Sequence, residues 1–150
     1  MFTCLTVRAV HSEVAHSLDT DSFINCLQRF ISRRGQVKHI RLKCEQLIGA
    51  ERELKSCIQS WNKSKISDFL QQRETKWLFN LPTAFHMGGM WERQIRSVRK
   101  LLLVLTKEQK LNDENLDTFL CVAENIINNR PISPVSDDPE DLEALTPNHK

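Results

Sequence analysis

The chain has 150 residues, 40% of them apolar and 27% charged, with a formal net charge of +2. That length has room for one domain around a single core, and the composition is ordinary for a soluble globular protein. No apolar run approaches the roughly 20 residues that a membrane span needs, and the start, MFTCLTVRAV, lacks the basic opening, long apolar core and small-residue cleavage site of a signal peptide.

FTCLTV and VHSEVA (2–7 and 10–15) are rich in β-formers on either side of Arg8-Ala9, which predicts a hairpin. Thr20 or Asp19 can cap a helix with Phe23, Leu27, Phe30 and Ile31 on one face. Arg33-Arg34-Gly35 ends it, with cations in the last turn and then a glycine stop. A short strand is predicted at 36–41. Leu47, Leu54, Ile58 and Trp61 predict a helix over 46–61, and Ile66, Phe69 and Leu70 a short one over 65–73 capped by Ser64. TKWLF (75–79) is a compact strand, and the stretch 80–89, with Pro82 and Gly88-Gly89, is a loop. From Met90 a long helix should run to about Gln109 with Ile95, Val98, Leu102 and Leu105 inward. Another should follow Asn112 or Asp113, bury Leu116, Leu120, Ala123 and Ile127, and stop before Pro131. The order predicts an α/β layered architecture with a thin sheet.

Five cysteines (Cys4, Cys26, Cys44, Cys57 and Cys121) form no CxxC pair, and the odd number argues against a disulfide framework. Metal ligation would want closer pairing. Reduced, structural cysteines are expected, in an intracellular protein of nucleus or cytoplasm that is not secreted. The charge is uneven. Residues 135–150 carry Asp137, Asp138, Glu140, Asp141 and Glu143 against Lys150, a net of −4, which leaves +6 on residues 1–134. A basic body is compatible with a polyanion partner, whereas the acidic stretch 131–150, with four prolines, is expected to be extended and flexible. Domain boundaries are therefore expected at 1–130 and 131–150.

In HMGGMWERQIRSVRK (86–100) a glycine pair precedes Glu92, and Arg96 follows one turn later, a spacing that predicts an ordinary ion pair on a helix surface. Arg93, Arg96, Arg99 and Lys100 wrap around two sides of that helix. Arg29, Arg33, Arg34, Lys38 and Arg41 read as scattered surface charge, His86 as a loop residue, and Trp61, Trp77 and Trp91 as core.

Four blocks taken together resemble one family: the segment from FTCLTV to ISRRG, then IGAERE, then FNLPTAFHMGGMWERQIRSVRK, then NNRPISPVSDDPEDLEALTPNH. They are colinear, span residues 2 to 149, and are similar to the integrase catalytic core of BEL/Pao-type retrotransposon polyproteins. The resemblance implies a ribonuclease-H-like fold and DNA strand transfer by an Asp, Asp, Glu triad that holds two Mg²⁺ or Mn²⁺ ions. Such ions sit roughly 4 Å apart and stabilise the attacking and leaving oxygens. As hard cations they need several converging oxygen ligands.

The same resemblance implies that the triad is dismantled here. The first Asp belongs to a strand upstream of the hairpin that opens this chain. The second falls at Leu42 or Lys43, depending on the direction of counting, and neither is a carboxylate; Glu45 suits the start of the following helix. The third matches Glu92, an inherited position that alone cannot hold a metal pair. The expectation is an incomplete ribonuclease-H-like fold, first central strand missing and only marginally stable. Its role would be at most weak nucleic-acid binding through Arg93, Arg96, Arg99 and Lys100, without a cofactor and without catalysis. Alternatives are a protein-interaction module, a non-functional relic, or part of an active integrase in a longer product. Homo-oligomerisation is implied by the resemblance alone.

Overall fold

In the computed structural model, which describes residues 1–42, 52–79, 89–107, 112–133 and 144–148, Asp19 fixes where the first helix begins. Its Oδ1 accepts the Ser22 amide at 2.7 Å, capping α1 (Thr20–Arg34). The Ser17 hydroxyl also donates to Asp19, at 2.5 Å. These hydrogen bonds, that of Ser17 foremost, favour the ionised form and hold the Asp19 carboxyl below the usual carboxylate range. Gly35 stops the helix at φ 85°, with its amide on Ile31 O at 2.9 Å. Glycine takes that left-handed conformation at no steric cost.

The contacts divide the chain into two units, Glu13–Phe85 and Met1–Ser12 with His86–Lys150. In the first, α1 is followed by β3 (His39–Leu42), α2 (Arg52–Ser60), α3 (Lys63–Gln71) and β4 (Lys76–Phe79). The helix predicted over 46–61 is observed from Arg52; residues 43–51 lie outside the described ones. The cap of α3 is Asn62 rather than Ser64: Asn62 Oδ1 accepts the Lys65 amide at 3.0 Å. The Asn62 amide is itself held by Thr20 Oγ1 at 2.9 Å, so the helix starts two residues early and Ser64 falls inside its first turn. α1 packs on α3, and Leu27, Ile66 and Leu70 are fully buried. Phe23 stacks on Trp61 with ring centroids 4.3 Å apart and lies 6.5 Å from Trp77. Trp61 Nε1 donates to Leu18 O at 2.8 Å, the usual way a half-buried indole satisfies its N–H.

β3 and β4 are parallel, in register His39↔Lys76, Ile40↔Trp77, Arg41↔Leu78 and Leu42↔Phe79. Parallel neighbours need a long crossover, which α2 and α3 supply. The strand starts at residue 39 rather than 36. Ahead of it the chain is engaged otherwise: Gln36 Nε2 donates to Arg73 O at 2.6 Å, Thr75 Oγ1 to Val37 O at 2.8 Å, and the Lys76 amide to Lys38 O at 2.9 Å. Two of the arginines read as scattered charge have a structural task. The Glu13 side chain, 4% exposed, is paired with Arg29 at 2.6 Å and with Arg33 at 3.2 Å, since a buried carboxylate is stable only when compensated. Arg29 also donates to Cys26 Sγ, but burial is the larger influence and pushes that thiol's pKa up.

In the second unit β1 (Phe2–Thr3) pairs antiparallel with β2 (Val10–His11). The hairpin is as expected, but its strands are two residues long instead of six. Arg8 has a left-handed φ of 58° at the turn, and the Cys4 amide closes the loop on Ala9 O at 2.8 Å. Two helices hold it, α4 (Gly89–Leu105) and α5 (Asp113–Asn128), the latter capped by Asn112. Val10, Val98 and Ile127 form the buried centre, with Leu101, Leu102 and Leu120 packed around it.

A polar clamp on α5 completes this unit. Asn128, 1% exposed, accepts the Val10 amide through Oδ1 and donates Nδ2 to Val10 O, both at 2.8 Å. One turn earlier Glu124 accepts the Ser12 amide at 2.9 Å and lies 3.2 Å from His11 Nδ1. Just past the helix Arg130 donates to Arg8 O at 2.9 Å. Desolvation of its guanidinium, and behind it the Arg8 charge, lower the Arg130 pKa. The far end of the tail is tied to the same place: the Ile132 amide donates to Leu145 O at 2.7 Å, Asn148 Nδ2 to Asn129 Oδ1 at 2.7 Å, and Pro147 is buried. The described residues of this stretch, 131–133 and 144–148, are thus hydrogen-bonded to one another and to the end of α5. The chain is mixed α/β, with small sheets flanked by helices.

Candidate nucleic-acid interface

α4 turns about 100° per residue, so its charged residues can be placed from their spacing. Arg93 and Lys100, seven residues apart, lie about 20° from a common line and about 10 Å apart along the axis. Arg96 and Arg99 lie about 60° and 120° round from Arg93. All four are exposed, while Gln94 and Val98 on the other side are buried. Arg93 Nε donates to Gly89 O at 3.1 Å, which turns that guanidinium back along the first turn. Arg96, Arg99 and Lys100 have no ion-pair partner among the described residues. The Glu92–Arg96 pair expected from their spacing therefore does not form.

Glu92 is half-buried in the first turn of α4. Leu42, one candidate for the second carboxylate position, ends β3 in the other unit. Lys43, the alternative, lies outside the described residues, as do Glu45, His86 and Gly88. Among the described residues no three His, Cys, Asp or Glu side chains gather as metal ligands. The first turn of α4 offers one carboxylate, and the next charged side chains along the helix are cations. This donor set does not fit a pair of divalent ions, which need several anionic oxygens.

A second group of basic side chains is brought together by strand register rather than helix spacing. Along β3 and β4, His39, Arg41 and Lys76 are exposed, whereas Ile40 and Trp77 are partly buried. Leu78 is 36% exposed. Side chains alternate across a strand, so the register aligns His39 with Lys76 and Arg41 with Leu78 on one face. The opposite face carries Ile40 and Trp77, with Phe23 of α1 beside Trp77. Sequence reasoning left Arg41 among scattered charges and passed over His39 and Lys76. The signal available to it was the matched alternation of HIRL and KWLF.

No family model matches this chain, and no curated protein is similar to it. Among solved structures it is similar to a chain of the cryo-EM structure of the simian T-cell lymphotropic virus intasome in complex with PP2A regulatory subunit B56 gamma, at 18% identity and a TM-score of 0.49. The match covers 79% of this chain and 37% of that one. A likeness at this level does not carry that assembly's partners over to this chain.

Proposed function

We propose that this chain is an integrase-core-like segment of retroelement origin, of the BEL/Pao type, that binds nucleic acid weakly and does not catalyse strand transfer. The observation that carries the reading is the exposed cationic face of α4, where Arg96, Arg99 and Lys100 have no ion-pair partner among the described residues. Cations so placed suit phosphate oxygens, which position a duplex without reading its sequence. The four colinear blocks supply the family, and Glu92 is the inherited third carboxylate position. With Leu42 or Lys43 at the second position, no divalent pair is held, so the role needs no metal cofactor. The protein acts inside the cell, in nucleus or cytoplasm, and any self-association follows the family's habit of working as multimers.

Titration of the purified chain with labelled duplex DNA tests this. Neutralising three to four phosphates gives log K against log salt a slope of about −3, and Arg96→Glu/Arg99→Glu should flatten it by about 2. Absence of binding at low salt, or binding indifferent to salt, rejects the nucleic-acid role. A protein-interaction role is the second reading. Exposed apolar side chains favour it, Leu103 (70%) and Val104 (58%) at the end of α4 and Ile126 (47%) on α5.

A further inference from the structure

The exposed side of α4 carries its residues on two lines. Measured round the helix from Arg93, Lys100 and Val104 lie within about 20°, one on either side, whereas Arg96, Leu103 and Arg99 lie about 60°, 80° and 120° away in one sense. Each line begins in cations and ends, towards the C-terminus, in an apolar side chain. Leu103 (70%) and Val104 (58%) are the most exposed large hydrophobic side chains among the described residues. Lys107, exposed in the turn after α4, sets a further cation beyond them. The Thr106 amide, on Leu102 O at 2.9 Å, carries helical hydrogen bonding to the residue before it.

No acid interrupts the sequence from Arg93 to Lys107. Arg96, Arg99, Lys100 and Lys107 have no ion-pair partner among the described residues. At a rise of about 1.5 Å per residue, Leu103 stands about 10 Å along the axis from Arg96 and about 6 Å from Lys107. The apolar pair is therefore set among the cations instead of forming a patch of its own. A ligand that covers this side must offer anions and, one turn further on, an apolar surface. The outside of a duplex offers anions alone, because its bases are paired and stacked within. In a single strand the base faces lie open beside the phosphates, and leucine is one of the side chains that pack against a base once a step is opened.

We propose that α4 binds single-stranded nucleic acid in preference to duplex, with phosphates on Arg96, Arg99, Lys100 and Lys107 and unpaired bases against Leu103 and Val104. The inference rests on the nucleic-acid reading above and names the form of nucleic acid that this helix selects. Covering the two apolar side chains adds affinity that is insensitive to moderate salt, whereas the cations add affinity that salt removes. The two contributions are therefore separable.

The test titrates the full chain, Leu103→Gln/Val104→Gln and Arg96→Glu/Arg99→Glu with two labelled probes at several salt concentrations. One probe is an oligothymidylate and the other a mixed-sequence duplex of the same length, and far-UV circular dichroism confirms that each variant is folded. The parent should hold the oligothymidylate about tenfold more tightly than the duplex, the effect of covering one leucine side chain. Leu103→Gln/Val104→Gln should remove that preference and leave the salt slope on either probe unchanged, because no charge is lost. Arg96→Glu/Arg99→Glu should weaken binding of both probes and flatten both slopes. If the parent binds the two probes alike or prefers duplex, or if the Gln variant keeps the preference, this inference fails and the proposed function stands. If the parent binds neither probe, both fail. Salt-dependent binding of polyglutamate without either nucleic acid would overturn the inference in favour of an acidic polypeptide. Should the double Gln variant not fold, Leu103→Ala, at the more exposed of the two positions, decides in its place.

Discussion

Replacing Asn128 by Ala should lower the stability of the hairpin-bearing unit by about 2–6 kcal/mol. The change removes both bonds that the side chain makes to Val10, and both Val10 backbone groups lie where water does not reach, since Val10 and Asn128 are each 1% exposed. A buried donor or acceptor left without a partner costs about 1–3 kcal/mol, and here there is one of each. Asn128→Asp should be nearly as damaging, because a carboxylate still accepts from the Val10 amide but meets the Val10 carbonyl with a lone pair instead of a donor. Urea unfolding followed by the fluorescence of Trp91, in a background with Trp61 and Trp77 replaced by Phe, reads the unit that contains α4. A midpoint for Asn128→Ala equal to that of the parent would show that the clamp is incidental.

The other large effect belongs to the Glu13–Phe85 unit. Leu27 is wholly inaccessible, on the α1 face that packs against α3, where Ile66 and Leu70 are equally buried. Leu27→Ala removes three carbons from that packing, and such truncations cost about 2–5 kcal/mol, depending on how far the surroundings collapse. The emission of Trp61 and Trp77, with Trp91 replaced by Phe, should report an earlier unfolding transition. The conservative Leu27→Met should cost less than about 1.5 kcal/mol. If Leu27→Ala and Leu27→Met unfold alike, the site is not close-packed.

Helix spacing and chain punctuation were the most legible part of the sequence. The apolar positions of α1, α4 and α5 and the glycine stop at Gly35 follow from periodicity and capping, because those interactions are closed within a few residues. The misreadings arise where a distant partner decides. Asn62 starts α3 in place of Ser64 because Thr20 reaches across to it, and β3 begins late because residues 36–38 are already engaged with residues 73–76. The hairpin strands are short although FTCLTV is rich in β-formers. Propensity says what suits a half-buried pleated surface, not how far the pairing runs.

The site was legible to different depths. The cations of α4 stand together in sequence, so their shared exposure could be anticipated. The face of β3 and β4 joins residues more than thirty positions apart and becomes visible only through the register. Arg29 and Arg33 looked like surface charge because nothing adjacent in sequence marks Glu13 as their buried partner.

The clamp on α5 also dictates an order of assembly. Val10 and Asn128 are separated by 118 positions, whereas Val37 and Thr75, the comparable tie in the other unit, are separated by 38. Closing the longer loop costs only about 1 kcal/mol more in chain entropy. During synthesis, however, the hairpin emerges before α5 and cannot close upon it until that helix is complete. The contiguous unit can form in the interval, so the two ends of the chain should be the last to fold. Pulsed hydrogen exchange during refolding should find the α1 and α3 amides protected before those of Val10 and Ser12.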